Sequence, residues 1–153
     1  MEKKSRRILL TMDGSHHSDD AYRWYLKYFR QPQDYVIFVH CHEIEQSQLL
    51  CFFTKNCEDL KQMMLHEESK TKLLLSRLKE HLKREGIPGK VVRKDGDPKE
   101  QLLRVSGEEN VDCIITGSRG LNGKRFTPLG SVSLYLVHHS KVPVLIVKQE
   151  TWS

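Results

Sequence analysis

Residues 111–132 read Val-Asp-Cys-Ile-Ile-Thr-Gly-Ser-Arg-Gly-Leu-Asn-Gly-Lys-Arg-Phe-Thr-Pro-Leu-Gly-Ser-Val, and this stretch decides the fold. Its opening, Cys113-Ile114-Ile115 between Asp112 and Thr116, is a short apolar run of the kind that makes a buried strand. The strand delivers its carboxyl end into Gly117-Ser118-Arg119-Gly120. A polar loop follows, and Gly130-Ser131-Val132-Ser133 opens an apolar-periodic segment. Strand, glycine turn, basic loop and helix start, in that order, are the parts of an α/β ligand site. Gly117 and Gly120 allow positive φ and close backbone approach. Gly130 and Ser131 are expected to leave free N–H groups at a helix N-terminus, where unsatisfied donors and the helix dipole favour an anion. Arg119, Lys124 and Arg125 add positive charge between them. The pattern predicts a phosphate cradle.

Two common cradles are excluded. A P-loop needs G-x-x-x-x-G-K-[ST], but Gly123-Lys124 has Ser118 in place of the first glycine and Arg125 in place of the hydroxyl. The dinucleotide motif G-x-G-x-x-G fails because Ser118 and Arg119 separate Gly117 from Gly120. What fits is G-x2-G-x9-G-[ST], through Gly117, Gly120, Gly130 and Ser131. Taken alone, these glycines are a modest signal, with loop punctuation the lesser alternative.

The 153 residues suit one domain with one core, with residues 1–6 as a basic arm. The 38% hydrophobic and 29% charged content is that of an ordinary globular protein. No apolar run is long enough to span a bilayer and no signal-peptide core follows Met1, so a cytoplasmic protein without membrane contact is expected. The net charge of +5 permits acidic partners, and Lys3, Lys4, Arg6 and Arg7 contribute to it as a solvated arm. No single element interleaves aromatic and basic residues, which ranks nucleic acid last among partners. Cys41, Cys51, Cys57 and Cys113 lack C-x-x-C spacing. Cys113 belongs in the core, and Cys51 and Cys57, in a looser segment, could pair on oxidation, with reduced thiols the expectation.

Working outward, residues 7–12 (Arg-Ile-Leu-Leu-Thr-Met) predict a first buried strand, ended by the turn Asp13-Gly14-Ser15. Ser18-Asp19-Asp20 then caps a helix carrying Ala21, Trp24, Tyr25, Tyr28 and Phe29 on one face, closed by Pro32. Residues 35–41 (Tyr-Val-Ile-Phe-Val-His-Cys) predict a second buried strand. Residues 43–57 form an irregular excursion whose Leu49, Leu50, Phe52 and Phe53 are expected to pack on the domain or a partner. Residues 58–85 read as a long helix with a core stripe of Leu60, Met64, Leu74, Leu78 and Leu82, stopped at Gly86-Ile87-Pro88-Gly89. Lys90-Val91-Val92-Arg93 is a short strand and Asp95-Gly96-Asp97-Pro98 its turn. Pro98 takes the first position of a helix whose Leu102, Leu103 and Val105, with Ser106, face inward. The strand at Cys113 follows, then a helix over residues 131–140 and a last strand, Val144-Leu145-Ile146-Val147.

Alternating strands and helices predict an open, doubly wound α/β sandwich: a five-stranded parallel sheet with four helices, joined by right-handed crossovers. Asp13, Cys41 and Gly117 all fall at carboxyl ends of strands, so three separated segments converge on one crevice.

With these pieces placed, residues 8–147 resemble the universal stress protein family, in its ATP-binding branch, outside the excursion. The likeness rests on Asp13-Gly14-Ser15 with Ser18, Ala21 and Trp24, on Val39-His40, and on Gly96-Asp97-Pro98. It continues through residues 112–120, Leu129 to Ser133, and Pro143-Val144. The resemblance implies a Rossmann-like sandwich of the adenine nucleotide alpha hydrolase type. It implies that Thr11 and Asp13 line the nucleotide site, Asp13 near base and ribose, and that Cys41, where the family usually has valine, packs beside adenine. Gly117, Arg119 and Gly120 would wrap the ribose and phosphates; Gly130, Ser131, Val132 and Ser133 would hold phosphate with amides and hydroxyls. Asp13 could instead be only an Asx-turn residue.

Eight histidines include the pairs His16-His17 and His138-His139, without clean metal spacing, so surface or capping roles are expected. His40, inside a strand, reads as a satisfied core histidine, and His16 stands next to the crevice. Mg2+ or Mn2+ bound through the phosphates would complete the ligand set. The leading expectation is an ATP-binding, nucleotide-dependent stress-response module that is at most a slow ATPase, with no catalytic residue assigned. Phosphoryl transfer needs a positioned nucleophile as well as charge stabilisation, and the sequence supplies the second more clearly. Slow hydrolysis or autophosphorylation on Ser131 or Ser133 stays open. The rival is a dimeric module binding unknown protein partners, its nucleotide motif vestigial. A homodimer through Val144–Val147 is expected in either case. The strand lies at a sheet edge that needs cover, and the resemblance implies dimerisation there; cover from the excursion within one chain is the alternative.

Overall fold

The apolar runs become strands and the periodic segments helices in a computed structural model that describes residues 4–43, 57–119 and 129–149. The strands are β1 (Arg6–Thr11), β2 (Asp34–His42), β3 (Gly89–Asp95), β4 (Cys113–Gly117) and β5 (Val144–Val147). All pair in parallel, in the order β3-β2-β1-β4-β5. The helices are α1 (His16–Trp24), continued by a π-helical turn at Tyr25–Phe29, α2 (Cys57–Glu85), α3 (Pro98–Glu108) and α4 (Ser131–His139). Among the described residues, the five-stranded parallel sheet with four α-helices is the architecture expected. The side chains at Cys51 and Cys57, residues 44–56 of the excursion, Gly120, Lys124 and Arg125 lie outside the description.

Strand residues alternate between two cores, as a period of two requires. Ile8, Leu10, Val36, Phe38 and Ile115 point to one face, under Tyr22 and Tyr25 and under Leu78 and Leu82 of α2. Leu9, Ile37, Val39 and Ile114 point to the other, under Leu102 and Val105 of α3 and Leu136 of α4. The helix starts follow capping chemistry. Pro98 takes the first position of α3, and the Asp97 carboxylate accepts from Lys99 N–H.

Three expectations are corrected. The cap of α1 is Ser15, not Ser18: Gly14 turns the chain at φ +86°, and Ser15 Oγ accepts from Ser18 N–H at 3.3 Å. Met64 is 48% exposed rather than core. A 29-residue helix runs about 43 Å and overhangs strands of at most nine residues, so only Leu74, Leu78 and Leu82 of the stripe pack into the sheet core. Arg6 and Arg7 do not belong to a solvated arm. They open β1, where Arg6 makes a bidentate pair with buried Asp34 and Arg7 meets Glu109 at 2.8 Å.

Candidate functional site

The sheet order sends β1, β2 and β3 one way and β4, β5 the other, so the loops after β1 and β4 part and leave a crevice between them. Thr11 and Thr116 mark that switch point. Their hydroxyls hydrogen bond at 2.8 Å and tie the carboxyl ends of β1 and β4 together. Beyond Thr11 the chain turns at once. Asp13 Oδ1 accepts from Ser15 N–H at 2.9 Å and Ser15 Oγ–H at 2.5 Å, which makes Asp13 an Asx-turn residue, half-buried on the rim of the crevice. Its Oδ1 therefore builds the turn into α1.

The opposite wall is the path from β4 into α4. Gly117 packs against the start of α1: a methyl group built on it would lie 2.8 Å from His17 O. It is not among the positive-φ residues, so close approach and not backbone freedom requires glycine here. Ser118 N–H donates to Val147 O at 3.1 Å, and Ser118 O accepts from Gly130 N–H at 2.7 Å. The Gly130 amide is thus already satisfied, and the donors expected from Gly130-Ser131 begin one residue later. Gly130 is the N-cap of α4 in extended conformation (φ −66°, ψ 158°) with no side-chain cap. The N–H groups of Ser131, Val132 and Ser133 open from this uncapped start.

The hydroxyls divide. Ser133 is buried and donates to Gly117 O at 2.7 Å, so it braces α4 on β4 instead of offering its hydroxyl proton to a ligand. Ser131 is exposed and Val132 half-buried. Arg119 is half-buried at the last described position of the loop, and its charge acts on His17. Gly120, Lys124 and Arg125 fall outside the described residues.

The third segment is the end of β2. His40 Nδ1 lies 2.7 Å from Met12 O, which only accepts, so Nδ1–H donates; burial lowers the pKa of the ring and keeps it neutral. It is a satisfied core histidine. Cys41 is half-buried, and burial, reinforced by nearby Asp97, pushes its thiol up to about 11. A thiol raised that far forms little of the reactive thiolate near neutral pH.

Sequence reasoning passed over Thr116, Ser118 and His17. Thr116 and Ser118 stood within the motif, but their roles depend on β1 and β5 lying beside β4. The backbone of His17 abuts Gly117 with nothing local to announce it. Burial, then neighbouring His16, keeps the His17 pKa low. The His16 and His17 rings lie 4.0 Å apart beside the turn, while His138 and His139 are exposed in the last turn of α4. Among the described residues no group of three or more His, Cys, Asp or Glu is placed to hold a metal ion.

Among the described residues no side chain caps the start of α4, and leading amides of that kind are a donor set to which a phosphate is suited. Comparison with known proteins agrees with the architecture. Residues 4–148 match the model of the universal stress protein family. Universal stress protein YxiE of Bacillus subtilis is 35% identical over 75 residues, 49% of this chain and 51% of that protein, so the match spans about half the relative's length. The solved structure of MJ0577, a universal stress protein of Methanocaldococcus jannaschii, superposes with a TM-score of 0.75 at 28% identity, covering 97% of this chain and 99% of that one. A family protein from Arabidopsis thaliana solved with AMP bound superposes at 0.69 with 18% identity, covering 95% and 93%, which is a likeness of fold.

Proposed function

The chain belongs to the universal stress protein family, and from that premise we propose that its switch-point crevice binds an adenine nucleotide, ATP foremost, as a nucleotide-dependent stress-response or signalling module of the cytoplasm. The carrying observation is the start of α4, which has no side-chain cap among the described residues and is fastened to the end of β4 by Gly130–Ser118 and Ser133–Gly117. The Arabidopsis relative solved with AMP supports the choice of an adenine ligand. In this reading the amides of Ser131, Val132 and Ser133 receive phosphate, Arg119 adds charge, and Cys41 supplies a packed, neutral wall for the base. A divalent cation, Mg2+ or Mn2+, would be held chiefly by phosphate oxygens. Turnover is at most slow. If a phosphoryl group is transferred to the chain, exposed Ser131 is the acceptor, since Ser133 is buried with its hydroxyl committed.

Ser131→Pro tests the cradle. Proline is tolerated at the first position of a helix, and Gly130 already has the extended conformation that must precede it. The substitution deletes one amide donor and one hydroxyl while sparing the helix. ATP affinity by calorimetry is expected to fall roughly tenfold or more, the effect of losing a charge-assisted hydrogen bond. Unchanged affinity in a folded variant sinks the site.

A second reading, a dimeric interaction module, is favoured by one observation. β5 is an edge strand, and Ile114 N–H donates to Pro143 O while Ser118 N–H donates to Val147 O. By parallel alternation the backbone groups of Val144 and Ile146 then face away from β4. Ile146→Pro removes an outward donor without touching the β4 ladder. Light scattering is expected to show a dimer for the native chain and a monomer for the variant; a native monomer at micromolar concentration refutes the interface.

A further inference from the structure

The other edge of the sheet carries different chemistry. β3 pairs with β2 on one side, and among the described residues has no strand on the other. Val36 N–H donates to Pro88 O and Gly96 N–H to His42 O, so the even-numbered residues of β3 bond to β2. Gly89, Val91 and Arg93 turn their own N–H and C=O groups outward. Next to that edge, the end of α2 and the turn into β3 border a shallow, open groove of about 570 Å³. Its floor is apolar, made by Leu82, Ile87, Pro88 and Val91, and Lys79 and Lys83 line it from one side. Of its nine lining residues three are lysines and none is acidic.

The charges differ in their commitments. Lys90 is paired with Glu109, Lys94 with Glu108 at 3.8 Å, and Arg93 with Glu68 at 2.7 Å. Lys79 and Lys83, one turn apart and exposed, make no ion pair among the described residues. An open sheet edge bordered by an apolar floor and two uncommitted ammonium groups is complementary to an extended chain bearing carboxylates.

We propose that the β3 edge and its groove dock an extended acidic segment of a partner protein, which adds as a strand along Gly89, Val91 and Arg93 while its carboxylates meet Lys79 and Lys83. Backbone pairing supplies affinity, the apolar floor takes alternate side chains, and the lysines select charge. The groove lies at the amino end of β3, away from the crevice at the carboxyl ends. Both sites can be filled at once, and this proposal stands whether or not a nucleotide binds.

The test uses the full chain and a fluorescein-labelled peptide of about seven residues alternating glutamate and valine, followed by anisotropy. The acidic peptide is expected to bind and a lysine–valine peptide of equal length not to. Lys79→Glu with Lys83→Glu, exposed positions that leave the core untouched, should weaken binding roughly tenfold and reduce its salt dependence. Val91→Pro deletes an outward N–H, a position in an edge strand where proline is accepted, and should weaken binding with the circular dichroism unchanged. Independently of that variant, amide exchange at Val91 and Arg93 of the native chain should slow when the peptide is added. Absence of binding, indifference to the lysine reversals, or unchanged exchange at Val91 and Arg93 overturns the proposal. So does equal competition by an oligonucleotide of the same charge, which would mark a general polyanion surface.

Discussion

Asp34→Ala is expected to lower stability by about 3 kcal/mol, the low end for breaking a buried ion pair, and the melting temperature by roughly 6–12 °C. The Asp34 side chain is 1% exposed and meets four donors: Arg6 Nε at 2.7 Å, Arg6 Nη2 at 2.8 Å, Tyr25 Oη at 2.8 Å and Gln31 N–H at 2.9 Å. Removing the carboxylate takes a partner from all four at once, while Arg6 Nη2 keeps the Phe29 carbonyl at 2.8 Å. Arg6 keeps some water, at 22% exposure, which places the effect at the low end. Burial alone would raise the carboxyl pKa, but the bonds from Arg6, Gln31 and Tyr25 together outweigh it and hold the pKa below the usual carboxylate range. A folded pKa below the unfolded one gives stability that is present above the unfolded value and lost as pH falls through the folded one. The native chain should therefore lose stability below roughly pH 5, and the gap to Asp34→Ala should narrow as the pH drops. Denaturant titrations across that range check it; a constant gap means the carboxylate is not the linked group. Asp34 sits at the start of β2, at the far end of the sheet from the crevice, so nucleotide affinity well below the melting point should not change.

This anchor shows where the sequence stopped being legible. The strands were visible because β-branched runs are bounded by turn residues, and α3 because Asp97 and Pro98 are a local capping signal. The partnership of Arg6 with Asp34 has no local signal. It follows from the parallel register that sets residue 6 opposite residue 34, and from the π-turn that brings Tyr25 down onto the same carboxylate. The candidate site divides the same way. The helix start at Gly130-Ser131 could be read from residue types, since glycine and serine before an apolar period mark an N-terminus. That Gly130 N–H would be spent on Ser118 O, and the Ser133 hydroxyl on Gly117 O, could not. Those bonds exist only because β4 hands the chain over to α4 at a particular height. Met64 failed for a related reason: its periodicity was helical, but periodicity does not say where the supporting sheet ends.

Gly117→Ala is the substitution in which fold and function are expected to fail together. The new methyl group would sit 2.8 Å from His17 O and 3.0 Å from His17 C, both backbone atoms. A side chain could swing aside, but a helix backbone moves only as a unit, and overpacking of this kind costs about 1–3 kcal/mol. The melting temperature should drop by roughly 2–12 °C. The displaced element is the start of α1, which carries the Asp13–Ser15 turn, so the crevice wall moves with it. ATP affinity measured well below the melting point is expected to fall roughly tenfold, comparable to one lost hydrogen bond to phosphate. Two comparisons separate the causes. Ser131→Pro should weaken ATP without lowering the melting temperature, because it deletes a donor and displaces nothing. Adding His17→Ala to Gly117→Ala should not restore either property, because the clash is with the His17 carbonyl and not its ring. If Gly117→Ala melts and binds like the native chain, α1 yields freely against β4, and the two walls of the crevice are not held in register by this contact.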